Sequence, residues 1–133
     1  MKTNQLVIEH VSKFKFDKTV EMLTAEAERR DWKVPAVHDL QLSLAKSGKS
    51  VKPVKVIEIC KPEYSGKMLE LNNERIISVM MPCRISVYEK NDGLTYVSLI
   101  NAGDLASGLP ANISGVMKDA SDETFEIVKK VTE

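Results

Sequence analysis

The sequence predicts an α+β fold, in which helices pack on one face of a mostly antiparallel sheet. Three observations favour this class. Short segments that alternate between apolar and polar residues recur along the chain, as in half-buried strands. In the first half of the chain, segments with a helical spacing of apolar residues lie between these strand-like segments. Turn-forming residues at 90–93 join two adjacent strand-like segments. The predicted order is β-α-β-α-β-α-β-β-β-α, in a single domain over residues 1–133.

The first half alternates strands with helices. The predicted strands are 6–12, 32–37 and 53–60, and the predicted helices are 18–31, a short one after Asp39, and 62–71. Asp17 and Asp39 are suitable N-caps, because a side-chain carboxylate accepts hydrogen bonds from the free amides of a first turn. Pro62 suits the first position of a helix. Pro35 has no amide hydrogen, which predicts that its strand lies at a sheet edge.

The second half is dominated by strands and ends in helices. The predicted strands are 75–81, 83–89 and 94–100, with helices over 110–119 and from Asp122 to the end. Pro82 separates the first two strands, because proline cannot donate to a ladder. Asp92 and Gly93 belong to the hairpin turn before the third strand.

Composition excludes several functional classes. The 133 residues are 43% hydrophobic and 29% charged, which is typical of a globular domain. Nineteen basic residues balance nineteen acidic ones, so the chain lacks the positive field expected of a nucleic-acid binder. The apolar runs are too short for a membrane span, and the start has no signal-peptide segment. We therefore expect a cytoplasmic protein with neither a nucleic-acid nor a membrane partner.

Two cysteines are the main candidate site residues. Cys60 ends a predicted strand directly before a helix start, where free amides and Lys61 favour a thiolate. Cys83 follows Pro82 and precedes the guanidinium of Arg84, which also favours a lowered thiol pKa. The alternative is that both are small buried hydrophobic residues.

Other residues extend this candidate site. Cys60, Cys83 and His38 are the candidate metal ligands, although their scattered spacing is unlike that of a structural zinc site. Glu58 shares the predicted strand face of Cys60 and is, with Arg84, a further candidate for ligand binding. His38 and Asp39 also resemble the base and orienting group of a cysteine nucleophile, but a capping role for Asp39 explains the same pair.

Several segments together resemble domain of unknown function family 302. They are Phe16-Asp17-Lys18-Thr19-Val20, Val37-His38-Asp39-Leu40, Ile57-Glu58-Ile59-Cys60-Lys61-Pro62, Met81-Pro82-Cys83-Arg84-Ile85-Ser86-Val87-Tyr88-Glu89 and Asp92-Gly93. The resemblance implies a small α+β domain of bacteria and archaea, commonly dimeric, without an established activity and sometimes found beside sulfur or redox functions. The residues that match those shared by the family are Cys60, Pro62, Pro82, Cys83 and Arg84. The resemblance implies no catalytic role for them. Gly108-Leu109-Pro110 stands where the family pattern leads us to expect a glycine-rich segment.

Three hypotheses for function follow. The first is a dimeric binding module that holds a metal, a sulfur species or a small ligand near Cys60 and Cys83. The second is a thiol-dependent redox protein or enzyme with Cys60 as the attacking thiolate and Cys83 as the resolving thiol. The third is a structural domain with inert cysteines. The cofactor stays unknown. Arg84, Ser86 and Tyr88 form either the solvated side of the sheet or part of an interface, and a homodimer is expected.

Overall fold

The sheet has six antiparallel strands. The computed structural model describes the backbone of residues 2–3 and all of residues 6–133. The strands are β1 Lys2–Thr3, β2 Val7–Val11, β3 Lys33–Asp39, β4 Val54–Cys60, β5 Cys83–Glu89 and β6 Thr95–Ile100, in the spatial order β1-β2-β6-β5-β4-β3. The predicted α+β class and the antiparallel sheet are confirmed, and the order of elements agrees apart from the segment predicted as a strand at 75–81.

The two longest helices pack on one face of this sheet. The helices are α1 Phe16–Arg29, α2 Leu40–Lys46, α3 Pro62–Leu69, α4 Ala102–Leu105 and α5 Ala111–Thr132, with 3₁₀ helices at Asn73–Met80 and Ala106–Gly108. Helix α1 contacts β3, β4, β5 and α5, and α5 also contacts α3 and α4. Among the described residues, no helix combines the length and apolar character that a membrane span requires.

Strand alternation divides the sheet residues between a core face and an outer face. Ile57, Ile59, Ile85, Val87, Val97 and Leu99 form the core face, where they pack against Leu23 and Ala27 of α1 and Ile127, Val128 and Val131 of α5. The alternate residues of the same strands form the outer face, and they include Glu58, Arg84, Ser86, Tyr88, Tyr96 and Ser98. The main core is therefore built by alternation in the strands and helical spacing in α1 and α5.

Several local predictions about caps, prolines and turns are confirmed by the structure. The amide of Leu42 donates to Asp39 Oδ1 at 2.9 Å, so Asp39 caps α2 as predicted. Pro62 lies in the first turn of α3. Pro35 lies in β3, which is an edge strand of the sheet. Gly93 has φ of 80° in the β5–β6 turn, a left-handed conformation that favours glycine.

The predicted N-cap of α1 is wrong. The helix begins at Phe16, and Lys15 occupies the cap position without a side-chain hydrogen bond. Asp17 lies inside the first turn, where its charge still complements the helix dipole. Phe16 is buried in the main core, and the first turn begins two positions earlier than capping chemistry predicts.

The predicted strand at 75–81 is also wrong, because residues Asn73–Met80 form a 3₁₀ helix. In a strand, Ile77 and Val79 would share one face. Ile77 is instead only 8% exposed, while Ile76 and Val79 are 80% and 82% exposed. The apolar residues therefore do not follow the period of two, and this segment pairs with no neighbouring strand in the sheet.

The predicted break between two C-terminal helices is absent. Helix α5 is continuous over Ala111–Thr132. Asp122 does not cap a new helix, since its carboxylate accepts a hydrogen bond from Lys118 Nζ at 2.8 Å, one turn earlier. Ala120 and Ser121 are both buried, so the apolar face of the helix runs through the predicted gap.

Candidate functional site

A cavity of about 180 Å³ lies beside the sheet, where the start of β5 and the end of β6 meet the surrounding helices. Its walls come from β5, β6, α3, α4, α5 and the 3₁₀ helix Asn73–Met80, and they are mostly apolar. Met68, Ile77 and Met117 belong both to this wall and to a second hydrophobic cluster, separate from the main core. Leu99 and Ala120 of the main core also line the cavity, which therefore lies between the two clusters.

Cys83 lines this cavity as the first residue of β5. Burial raises the pKa of its thiol, with a further contribution from nearby Cys60, so Cys83 is a neutral thiol at neutral pH. The predicted lowering of this pKa by Arg84 is wrong, because consecutive residues of a strand point to opposite faces. Arg84 also lines the cavity, but its guanidinium is directed to the outer face, with its Nε 3.8 Å from Glu58 Oε2.

Ser121 supplies an unpaired polar group at the same wall. It is 4% exposed, and in the described part of the chain its hydroxyl is the buried side-chain group without a hydrogen-bond partner. The neighbouring Thr124 also lines the cavity, but its hydroxyl donates to the Ser121 carbonyl oxygen at 2.7 Å. Sequence reasoning did not identify Ser121, although a serine on the apolar face of an amphipathic helix could have indicated it.

His38, Glu58 and Arg84 lie together on the outer face. Glu58 is opposite Arg84 in the β4–β5 register, and His38 is two positions along β3 from Ala36, the β3 partner of Glu58. His38 Nε2 is 3.0 Å from Glu58 Oε2, which also faces Arg84. His38 and Arg84 are about half exposed, so the group resembles a surface ion-pair network, whose free-energy contribution is about 0–1 kcal/mol.

Cys60 does not line the cavity. It ends β4, and its Sγ lies 3.6 Å from Ser65 Oγ in α3. Cys83 pairs with Ile59 in the sheet register, so alternation places Cys60 on the face opposite to Cys83. The two thiols are therefore near enough to interact but have different surroundings, the cavity for Cys83 and Ser65 of α3 for Cys60, whereas the sequence led us to place both near one ligand.

The predicted metal ligands do not converge. Cys83 faces the cavity, His38 faces Glu58, and Cys60 faces Ser65. Within residues 6–133, no three side chains of His, Cys, Asp or Glu are grouped in a way that could hold a metal ion. The site is therefore a mostly apolar cavity whose wall includes a neutral thiol, the Ser121 hydroxyl and the half-exposed Arg84.

A second cluster missed by sequence reasoning surrounds Glu123 of α5. Its carboxylate accepts hydrogen bonds from Lys61 Nζ at 2.8 Å, Tyr64 OH at 2.5 Å and Trp32 Nε1 at 2.9 Å. Burial opposes ionisation of Glu123, but these bonds outweigh it and lower its pKa. The bond to Glu123 raises the pKa of Tyr64 to about 12. These contacts hold α3, and so one wall of the cavity, against α5.

The comparisons with known proteins agree with the fold. Residues 8–132 match the model of the family described as Domain of unknown function DUF302. The chain belongs to this family. A crystal structure of an uncharacterized conserved DUF302 protein from Bacillus stearothermophilus has a TM-score of 0.85 to this chain, at 16% identity over 96% of this chain and 99% of that one. At this identity, the likeness shows the fold alone. No curated protein matches the chain.

Proposed function

We propose that this DUF302 domain is a binding module for a small, mostly apolar molecule, which it holds in the cavity beside Cys83. The cavity itself is the observation that supports this proposal. Its volume of about 180 Å³ is comparable with the roughly 150 Å³ of apolar cavities that bind benzene. It is below the roughly 300–1,000 Å³ of typical drug-sized pockets, which favours a ligand of one ring or a short chain.

The thiol chemistry of the cavity favours binding over catalysis. A nucleophilic or redox cysteine reacts as the thiolate, and burial of Cys83 disfavours that form. His38, the candidate base, is hydrogen-bonded to Glu58 on the other face of the sheet. A redox pair would also need Cys60 and Cys83 to meet, whereas alternation directs them to opposite faces. The redox protein stays the alternative function.

Titration with toluene, followed by amide chemical shifts, tests the proposed binding. We expect saturable shifts at cavity residues such as Met117 and Leu99. Ala120→Leu should abolish them, because Ala120 lines the cavity and a larger side chain fills it. Ala111→Leu is the matched control, since Ala111 is an exposed alanine of the same helix. Absence of saturable shifts in the wild type, or unchanged binding in Ala120→Leu, would contradict the proposal.

We also propose that the domain forms a homodimer through the outer face. Ser86 and Ser98 are register partners there, and small side chains at this position permit close approach of a second copy. Light scattering after gel filtration should give the mass of a dimer. Ser98→Arg should shift the mass to that of a monomer, whereas Ser114→Arg on α5 should not. A wild-type monomer at high protein concentration would refute this arrangement.

A further inference from the structure

The unpaired hydroxyl of Ser121 is the exception among the buried hydroxyl groups of the described residues. Ser12 and Thr19 hydrogen-bond each other at 2.7 Å, and Thr124 donates to the Ser121 carbonyl oxygen. Ser121 is as buried as these residues, yet its Oγ has no partner. Burial of a hydroxyl without a hydrogen bond is unfavourable, so such a group in a folded domain calls for a partner outside the chain.

The position of Ser121 indicates where that partner lies. Ser121 is part of the cavity wall, together with Met117, Ala120 and Thr124 of the same helix. A ligand that fills the cavity therefore contacts this side chain, and rotation about the single Cα–Cβ bond redirects the hydroxyl between staggered positions. Gly103 of α4 also lies next to this hydroxyl and has no side chain. A Cβ at position 103 would lie 3.6 Å from Ser121 Oγ.

Water is a poor partner for this hydroxyl. A buried water is held by two to four polar groups. The wall is mostly apolar, the Thr124 hydroxyl already donates to a carbonyl, and Arg84, the one charged residue that the structure describes in the wall, has its guanidinium beside the Glu58 carboxylate. A molecule with an apolar body and one polar atom satisfies both the wall and Ser121.

We propose that the ligand is a neutral molecule with one hydroxyl or carbonyl group, which hydrogen-bonds the Ser121 hydroxyl while the rest of the molecule fills the apolar cavity. Either group fits, because a serine hydroxyl both donates and accepts. An ionised ligand does not fit, because Arg84, the one charged residue among the described residues of the wall, already has its guanidinium Nε 3.8 Å from the Glu58 carboxylate and is not free to replace the ligand's hydration. This inference rests on the proposed function and identifies the ligand class for that cavity.

Phenol and toluene are the matched probes, since they have nearly the same size and differ in the hydroxyl group. Both affinities are measured by chemical-shift titration for the wild type, Ser121→Ala and Ser114→Ala. The ratio of phenol affinity to toluene affinity cancels the hydration difference between the ligands when it is compared across variants. We expect Ser121→Ala to lower this ratio roughly twofold to tenfold, the usual worth of one hydrogen bond. Ser114→Ala, on the same helix away from the cavity wall, should leave it unchanged.

The possible outcomes separate this inference from the proposed function. If toluene binds to the wild type but the phenol-to-toluene ratio is the same in Ser121→Ala, the cavity binds ligands and the role of Ser121 is refuted. If neither probe binds to any variant, the proposed function itself fails. Equal losses of both ligands in Ser121→Ala also overturn the inference, because a hydrogen bond to phenol cannot weaken toluene binding.

Discussion

Ser121→Ala should make the ligand-free domain more stable. The substitution removes a buried hydroxyl that has no hydrogen-bond partner, and such a group costs about 1–3 kcal/mol. Alanine is also the better helix former, by roughly 0.5 kcal/mol at most. Position 121 lies in the interior of α5, so both effects have the same sign. We expect a gain of about 1–3 kcal/mol in the free energy of unfolding.

Urea unfolding followed by tryptophan fluorescence measures this gain. Trp32 is the single tryptophan and is 3% exposed, so its emission reports on unfolding of the main core. Ser114→Ala is the matched control, because it changes helix propensity in α5 without removing an unpaired buried hydroxyl. A gain in Ser121→Ala no larger than in Ser114→Ala would refute the reasoning, since it would mean that the hydroxyl has a partner in the free protein.

Three further predictions concern charge and thiol reactivity. The hydrogen bond from Arg29, against the opposing effect of burial, lowers the pKa of Glu26 to about 2, so its contribution to stability is present above pH 4.5 and lost as pH falls towards 2. Glu26→Gln should therefore flatten the acid side of the stability profile, and an unchanged acid limb would contradict this. Glu123→Leu removes three hydrogen bonds and should lower the free energy of unfolding, measured in urea, by about 2 kcal/mol or more. Tyr64→Phe removes one of them and should lower it by about 1 kcal/mol, and equal losses would argue against a shared network. Because burial raises its pKa, Cys83 should react with iodoacetamide more slowly in the native Cys60→Ser variant than in urea, and equal rates would show that the thiol is accessible.

Local chemistry explains which parts of the fold the sequence predicts. The cap at Asp39, Pro62 in a first helical turn, Pro35 on an edge strand and the Gly93 turn all depend on a few neighbouring residues. The 3₁₀ helix at Asn73–Met80 was not predicted, because its apolar residues resemble those of a strand. In the structure Ile77 packs in the second cluster, whereas Ile76 and Val79 face solvent.

The site depends on contacts that no local pattern contains. Glu123 meets Trp32, Lys61 and Tyr64, which are far from it along the chain, and the sequence offers no spacing that would connect them. His38, Glu58 and Arg84 were predicted as ligand-binding candidates individually, and the register of β3, β4 and β5 brings them together. Cys60 and Cys83 were predicted to share a site, but the register directs them to different faces. Cys83 pairs with Ile59, and Cys60 is one residue further along β4.

The composition of the cavity wall bears on how this domain would discriminate between ligands. Met68, Met80, Met81 and Met117 all line it, and methionine side chains are unbranched and adapt to the shape of what they contact. Selection by such a wall depends mainly on how much apolar surface a ligand buries, since one methylene more or less in an apolar pocket changes affinity by about 1–3 kcal/mol. A hydroxyl at a fixed position on α5 acts differently, because a ligand without a matching polar atom leaves it unpaired. We therefore expect ligands of equal size but different outline to bind with similar affinity, and the Ser121 hydroxyl to separate polar-tipped ligands from purely apolar ones of that size.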